Sequence, residues 1–483
     1  MSLQRFDTLV CGDDLSGLIA ANLLSHFNYK VVVLRNSVPA DRYLYKGYAL
    51  PVSPFLLPPL RFGELLSQIR QYLSLSQSEF EEDAEIVDKF QYITRRLRLD
   101  VCVDKNGTAE EFFCELGVKK ERMYKFFDSV NQLMEELTEI FNRHSPYPPY
   151  SFWDKRKMKE NYFAEYSKKP SVFECLSSER EKCVFRSILS FITNTETSKT
   201  SPAQEALLGY LFFERWLLLP SIERIRSLLV KRLEERGNLI LGKTEDNFSV
   251  EKRGFGYYLR DEKRQSSFRI DSFILSADSD FLSCIMPAKR FEKLNLPYKN
   301  YKIRYTTNFV AESDCIPEVA SKYIIYNRNP EKTDASNLFQ VSVSKAIKGR
   351  AIIKENKIIS VTTFIKPDEF KKKNSEDLNK RAHEVLIDIF PFADEYLLNT
   401  SSVLDAEYLL DVNMNEITKT DYRYNQYLFT DYTLRDGILL CDMKTGIDNF
   451  INSFSVFAPI GIYGDFMAAV RAAEIISKNV AGK

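Results

Sequence analysis

Glycine is scarce in this chain, with 17 residues in 483. Phosphate-binding loops use glycine for turns and for close backbone approach, so the supply suits one such loop at most. Histidine is scarcer still: His26, His144 and His383 are the only ones. They form no HExxH pair and no cluster, which argues against a zinc or iron centre. No two of the eight cysteines make a CxxC pair. Their scatter is that of free buried thiols in a reducing compartment. Neither sign of charge dominates, because Lys plus Arg and Asp plus Glu each total 67. A nucleic-acid binder normally carries a basic excess, and that class is set aside. No apolar run approaches the roughly 18–20 residues of a membrane span, and no basic-then-apolar leader opens the chain. The expectation is a cytoplasmic protein without an integral membrane segment.

What the chain has in quantity is aromatics, 35 Phe and 26 Tyr, within a 44% hydrophobic composition. The length suits two or three packed domains around a large core. The first forty residues set the organisation. Residues 6–11 read as an apolar strand running into a turn at Gly12. A helix follows, with Leu15, Leu18, Ile19, Ala21 and Leu24 mostly on one face, and residues 31–34 form a second apolar strand. This is the start of a βαβ unit, in which parallel strands flank a crossover helix. Gly12-x-Asp14-x-x-Gly17 is a dinucleotide fingerprint with aspartate at its middle glycine. Arg35 stands where an acid would meet a ribose hydroxyl.

Further along, residues 55–60 are unusually apolar for a loop and serve as either a core plug or a pocket wall. Residues 64–72 and 108–143 carry helical periodicity, and Thr108 with Glu111 suggests a capping box. Residues 92–103 alternate as a strand does. The acidic run 79–85 reads as a solvated face. The basic, aromatic segment 153–169 reads as a solvated helix, with peripheral membrane contact as the alternative. A helix is expected over 222–236, capped by Ser221 and ended by Gly237-Asn238. Short strands then lead to a buried strand at 272–278. A β-rich block spans 301–365, and an amphipathic helix covers 375–390 with His383 half-exposed on it. Residues 437–442 read as a short buried strand ending in Asp442, and a last helix is expected from 465 to 480.

Taken together these pieces resemble the FAD-dependent oxidoreductase superfamily of phytoene desaturases, carotenoid isomerases and amine oxidases. The resemblance covers nearly the whole chain, in the right order. It implies an α/β protein (α+β overall): a Rossmann-like FAD/NAD(P)-binding domain from 1–95, 220–290 and 430–483, interleaved with a substrate domain of antiparallel sheet and helices from 96–219 and 291–429. It also implies cofactor contacts at Gly12, Asp14, Leu15, Ser16, Gly17, Arg35, Arg42, Asp442, Gly461 and Ile462. No catalytic residue is identified.

Several of those positions depart from the family pattern. Asp14 replaces a glycine, with Asp13 beside it. Arg35 replaces an acid, Ala40-Asp41 replaces a Gly-Gly, and Cys441 replaces a glycine. Residues 219–221 lack another Gly-Gly, and Asp465 places a carboxylate where a reduced flavin would bear charge. Three readings follow. One is an FAD-dependent oxidoreductase acting on an apolar substrate. The second is a cofactor-free relative that serves as a binding or scaffold protein, with either an apolar small molecule or a protein as partner. A third is an NADP enzyme that uses Arg35 for the 2′-phosphate.

Overall fold

The computed structural model describes residues 4–36, 38–59, 70–73, 75, 78–81, 84–142, 150–160, 166, 168–195, 200–212, 215–242, 248–253, 256–261, 266–277, 279–294, 301–331, 335–372, 375–417, 427–429, 434–435, 438–439, 443–445, 447, 449–453 and 461–481. Gln4–Cys11 and Val31–Leu34 are the paired apolar strands of the opening unit, and Leu15–His26 is the helix between them. They lie parallel, with Thr8 beside Val31 and Cys11 beside Leu34. Ser266–Leu275 runs parallel on the other side, with Cys11 beside Leu275, and Leu239–Leu241 extends the far edge. The buried strand expected at 272–278 thus begins earlier, at Ser266. Phe248–Arg253 and Gly256–Asp261 form an antiparallel hairpin on it.

The strands are apolar on both faces because both faces are covered. Successive side chains point to opposite sides. Val10, Val33 and Ile274 join a core under the helices Leu15–His26, Glu223–Glu235 and Gly461–Ala481. Leu9, Cys11, Val32, Leu34 and Phe273 face the helix Ser279–Ile285 through Phe281 and Leu282.

The strand that completes this sheet is Phe450–Asn452, parallel to Phe273–Leu275. Of the strand expected at 437–442, Ile438–Leu439 falls within the described residues, and it pairs with Leu434–Arg435 in a two-stranded ribbon. Cys441 and Asp442 lie outside the described residues.

A 12-stranded sheet forms the second layer. Its centre is Tyr301–Glu312, Leu338–Lys348 and Ala351–Ile365, with the helix Ser375–Ile389 packed on it through Ala382, Val385 and Leu386. Arg42–Tyr45, Tyr48–Pro51 and Lys89–Thr94, which the sequence groups with the dinucleotide unit, pair in this sheet. Phe55–Leu57 pairs with Trp216–Leu219, so the apolar segment near 55 is a strand.

The periodicity of 108–143 comes from two helices, Lys105–Leu116 and Lys120–Asn142. Gly117, at φ 67°, ends the first. Asp104 caps that first helix. Thr108 instead donates to Cys102 O at 3.0 Å and Glu111 accepts from Asp100 N at 3.1 Å, so the expected capping box does not form. Glu85, at the end of the acidic run, is buried and paired with Lys322 at 2.8 Å. The helix Phe152–Glu160 exposes Phe152 and Trp153, while Asp154 ties it to Arg471 at 2.8 Å. His383 pairs with Asp394 at the surface. Among the described residues no helix is long and apolar enough to cross a membrane, and no group of His, Cys, Asp or Glu is arranged to hold a metal.

Candidate functional site

The opening turn is built against the neighbouring strand. Gly12 sits at φ +102°, and a Cβ there would lie 2.1 Å from Ser276 O. A Cβ on Gly17 would lie 2.4 Å from the Ser276 side chain. Both glycines are therefore required by packing within the fold. The turn's amides are also engaged. Asp13 N donates to Asn36 Oδ1 at 3.1 Å, Asp14 N to Ser276 O at 3.4 Å and Gly17 N to Ser276 Oγ at 3.0 Å. Leu15 is buried, and Ser16 Oγ donates to Ser453 O at 2.7 Å, which locks the helix onto the closing strand.

Behind the turn lies a buried charge network. Asp13 has no exposed surface. Arg35 Nε donates to its Oδ2 at 2.7 Å, and Arg226 Nη2 meets its Oδ1 at 2.8 Å. Arg226 Nε donates to Asp13 O at 2.7 Å, and Asn36 N donates back to Oδ1 at 3.2 Å. Glu223, one helical turn before Arg226, pairs with Arg226 and reaches Arg35 at 3.6 Å. Burial pushes the Asp13 carboxyl up, but Arg226 and Arg35 outweigh it and hold the group below the usual carboxylate range. Burial raises Glu223, because its two arginines are shared with Asp13. Next to this, Asp41 accepts from Ser221 Oγ at 2.8 Å and Arg224 Nε at 3.1 Å. Arg42 is buried 3.7 Å from Asp41, and it lines an open cleft of about 550 Å³ with Glu85, Pro220 and Lys345.

At the other end, Gly461 begins the closing helix at φ +57°, where a Cβ would lie 2.2 Å from Ile192 O. Asp465 follows in the next turn. Burial first, and then the charge of Asp14, push its carboxyl well above the ordinary value. Asp14 and Asp465 thus converge on one space, with negative charge disfavoured there.

Ile462 and Tyr463 form one wall of a second, small cavity, of about 20 Å³, between the closing helix and the large sheet. Phe55, Trp216 and Tyr323 line it, together with Arg304. Arg304 is 6% exposed. Its Nη2 donates to Phe191 O at 3.2 Å, and its Nε has no partner among the described residues. The apolar segment near residue 55 is a pocket wall.

FAD does not fit these residues. The end of the second strand offers Arg35, already held by Asp13 and Glu223, where a ribose needs an acceptor. A pyrophosphate passing the turn would meet Asp14, and like charges about 4 Å apart cost ~1–4 kcal/mol. The same pairing leaves Arg35 unsuited to a 2′-phosphate. Of the residues the sequence pointed to, Gly12, Asp14, Leu15, Ser16, Gly17 and Arg35 come together at the turn. Arg42 lies beside Asp41 in the open cleft, Gly461 packs against Ile192, Ile462 lines the second cavity, and Asp442 lies outside the described residues. Arg226, Glu223, Ser276 and Arg304 were not legible as site residues. The one available signal was the i, i+3 spacing of Glu223 and Arg226.

No family model and no curated protein matches the chain in sequence. Solved structures do match it in shape. A putrescine oxidase variant from a redesign of cofactor binding superposes with TM-score 0.57 at 14% identity, over 99% of this chain and 100% of that one. An oxidoreductase from Methanosarcina mazei gives 0.55 at 13% identity, over 97% and 100%. A Pyrococcus furiosus protein gives 0.51 at 12%, over 98% and 97%. The chain therefore has the Rossmann-like FAD-binding fold of the amine oxidases, built here around a cradle that its own charges occupy.

Proposed function

We propose that this chain is a cofactor-free binding protein on an oxidoreductase fold, and that its ligand is an apolar small molecule. The observation that supports this is the Asp13 carboxylate, fully buried between Arg35 and Arg226 behind the glycine turn. A dinucleotide entering there would have to strip one partner from a buried ion pair, which costs about 3–5 kcal/mol. Gly12 and Gly17 lend no support to a cofactor, because Ser276 already requires both. The small cavity beside Ile462, with Phe55, Leu56 and Trp216 in its lining, supports an apolar ligand.

The FAD-dependent oxidoreductase reading keeps one support: the N-terminus of Leu15–His26 still faces the turn, with its dipole favouring an anion. The two readings part on the colour of the purified protein. A colourless preparation with no flavin absorbance, and no thermal shift on adding FAD, is expected. A yellow preparation that keeps its flavin through gel filtration overturns the proposal.

A further inference from the structure

We propose that the helix Phe152–Glu160 docks the protein on an anionic bilayer surface, with Phe152 and Trp153 in the headgroup layer and Arg156 and Lys157 meeting its negative charge. The argument begins with what fixes the helix in place. Tyr150, just before it, packs on the main core. Asp154 accepts from Tyr150 N at 3.1 Å and from Ser151 N at 3.0 Å, and Asp154 N donates to Ser151 Oγ at 3.1 Å. Arg471, buried on Gly461–Ala481, donates to the same carboxylate at 2.8 Å. Burial pushes the Asp154 carboxyl up, but the Ser151 amide and Arg471 outweigh it and hold the group below the usual range. The acid of the first turn is thus tied inward. Phe152, Trp153, Arg156 and Lys157 are all exposed.

Phe152, at 73%, is the most exposed large apolar side chain among the described residues, and Trp153 is 64% exposed. Their rings meet edge to face with centroids 5.7 Å apart, and the Arg156 guanidinium lies 5.8 Å from the Trp153 ring. Two adjacent rings and a cation therefore make one outward patch. The charge points to its occupant. The whole chain is balanced, with 67 residues of each sign. Residues 152–160, by contrast, hold Lys155, Arg156, Lys157 and Lys159 against Asp154 and Glu160, and Arg471 pairs with Asp154. Protein interfaces gather aromatics but are depleted of lysine. Rings interleaved with lysine and arginine suit the headgroup layer, where aromatic side chains settle and cations meet anionic lipid. With nine residues the helix is suited to lying on a bilayer, not to crossing it. The inference goes beyond the cofactor-free reading and does not depend on it, since no residue of the glycine turn takes part.

The full chain is pelleted with vesicles of phosphatidylcholine alone, or of phosphatidylcholine with about a third phosphatidylserine. It should pellet with the anionic vesicles, stay in solution with the neutral ones, and come off the anionic ones as salt rises. The chain has two tryptophans, and Trp216 is 1% exposed, so Trp153 is the one that bilayer contact can shift. Emission should move to the blue on the anionic vesicles. Replacing both rings, Phe152→Ser with Trp153→Ser, should weaken binding about tenfold or more. Replacing both cations, Arg156→Gln with Lys157→Gln, should weaken it about 25-fold, at roughly fivefold per charge. Because these side chains are exposed, both variants should keep the parent's melting temperature, which separates lost binding from lost folding. No pelleting with anionic vesicles, equal pelleting with neutral ones, unshifted emission, or full binding in either folded variant overturns the inference. So does a chain that ignores vesicles but doubles its mass in light scattering until the rings are replaced, which would make the patch a protein interface.

Discussion

Two of the buried arginine sites in this molecule differ in how their charge is met. At the glycine turn, Asp13, Glu223 and Asp41 face Arg226, Arg35, Arg224 and Arg42. At the cavity beside the closing helix, Arg304 has a carbonyl, two rings and, among the described residues, no acid. The first site is where the fold would receive a charged cofactor, and each of its acids is paired with a guanidinium. A buried charge that its own chain satisfies serves folding, because breaking its pairs costs more than the pairs contribute.

The largest effect should come from breaking the complete site. Asp13→Asn leaves Arg226 and Arg35 sharing Glu223, and the expected loss is about 3–5 kcal/mol in denaturant unfolding. Arg304→Met removes a charge that no acid among the described residues balances, so in the same assay it should be neutral or stabilising. A comparable loss at both positions would erase the contrast. Next in size is Gly12→Ala. It places a methyl against Ser276 O at a φ of +102°, with an expected cost of about 1–3 kcal/mol in the ligand-free protein. If the glycine served a phosphate alone, the change would leave stability untouched.

The smallest effect concerns pH. Asp465 has a raised pKa, so its contribution is full below the unfolded value of about 3.9 and is lost as pH rises through the folded one. Asp13 is held low, so its contribution is present above the unfolded value and is lost as pH falls through the folded one. Thermal midpoints should therefore decline on both sides of an optimum. Asp465→Asn should flatten the alkaline decline by a few degrees and leave the acid side unchanged. An unaltered alkaline limb would separate Asp465 from Asp14.

Much of the fold was legible because it rests on local patterns. The apolar strands at 6–11 and 31–34, the glycine turn between them and the alternation over 301–365 each specify their own element. The errors arose where pairing is nonlocal. Phe450–Asn452 is too short to stand out in sequence, and it completes the sheet only because Phe273–Leu275 lies beside it. The helix read as continuous over 108–143 breaks at Gly117, whose left-handed φ the periodicity hid. The site was legible at its glycines and at Asp14. Its chemistry was not, since Arg226 comes from a helix more than two hundred residues away and meets Asp13 only after folding. Arg304 is one polar residue in an alternating strand, and nothing in its spacing separates a buried cation from an exposed one.

The central claim is that the glycine turn, filled by the chain's own charges, receives no dinucleotide. A thermal-shift titration with FAD tests it most directly. No concentration-dependent rise in melting temperature is expected, and such a rise would contradict the claim.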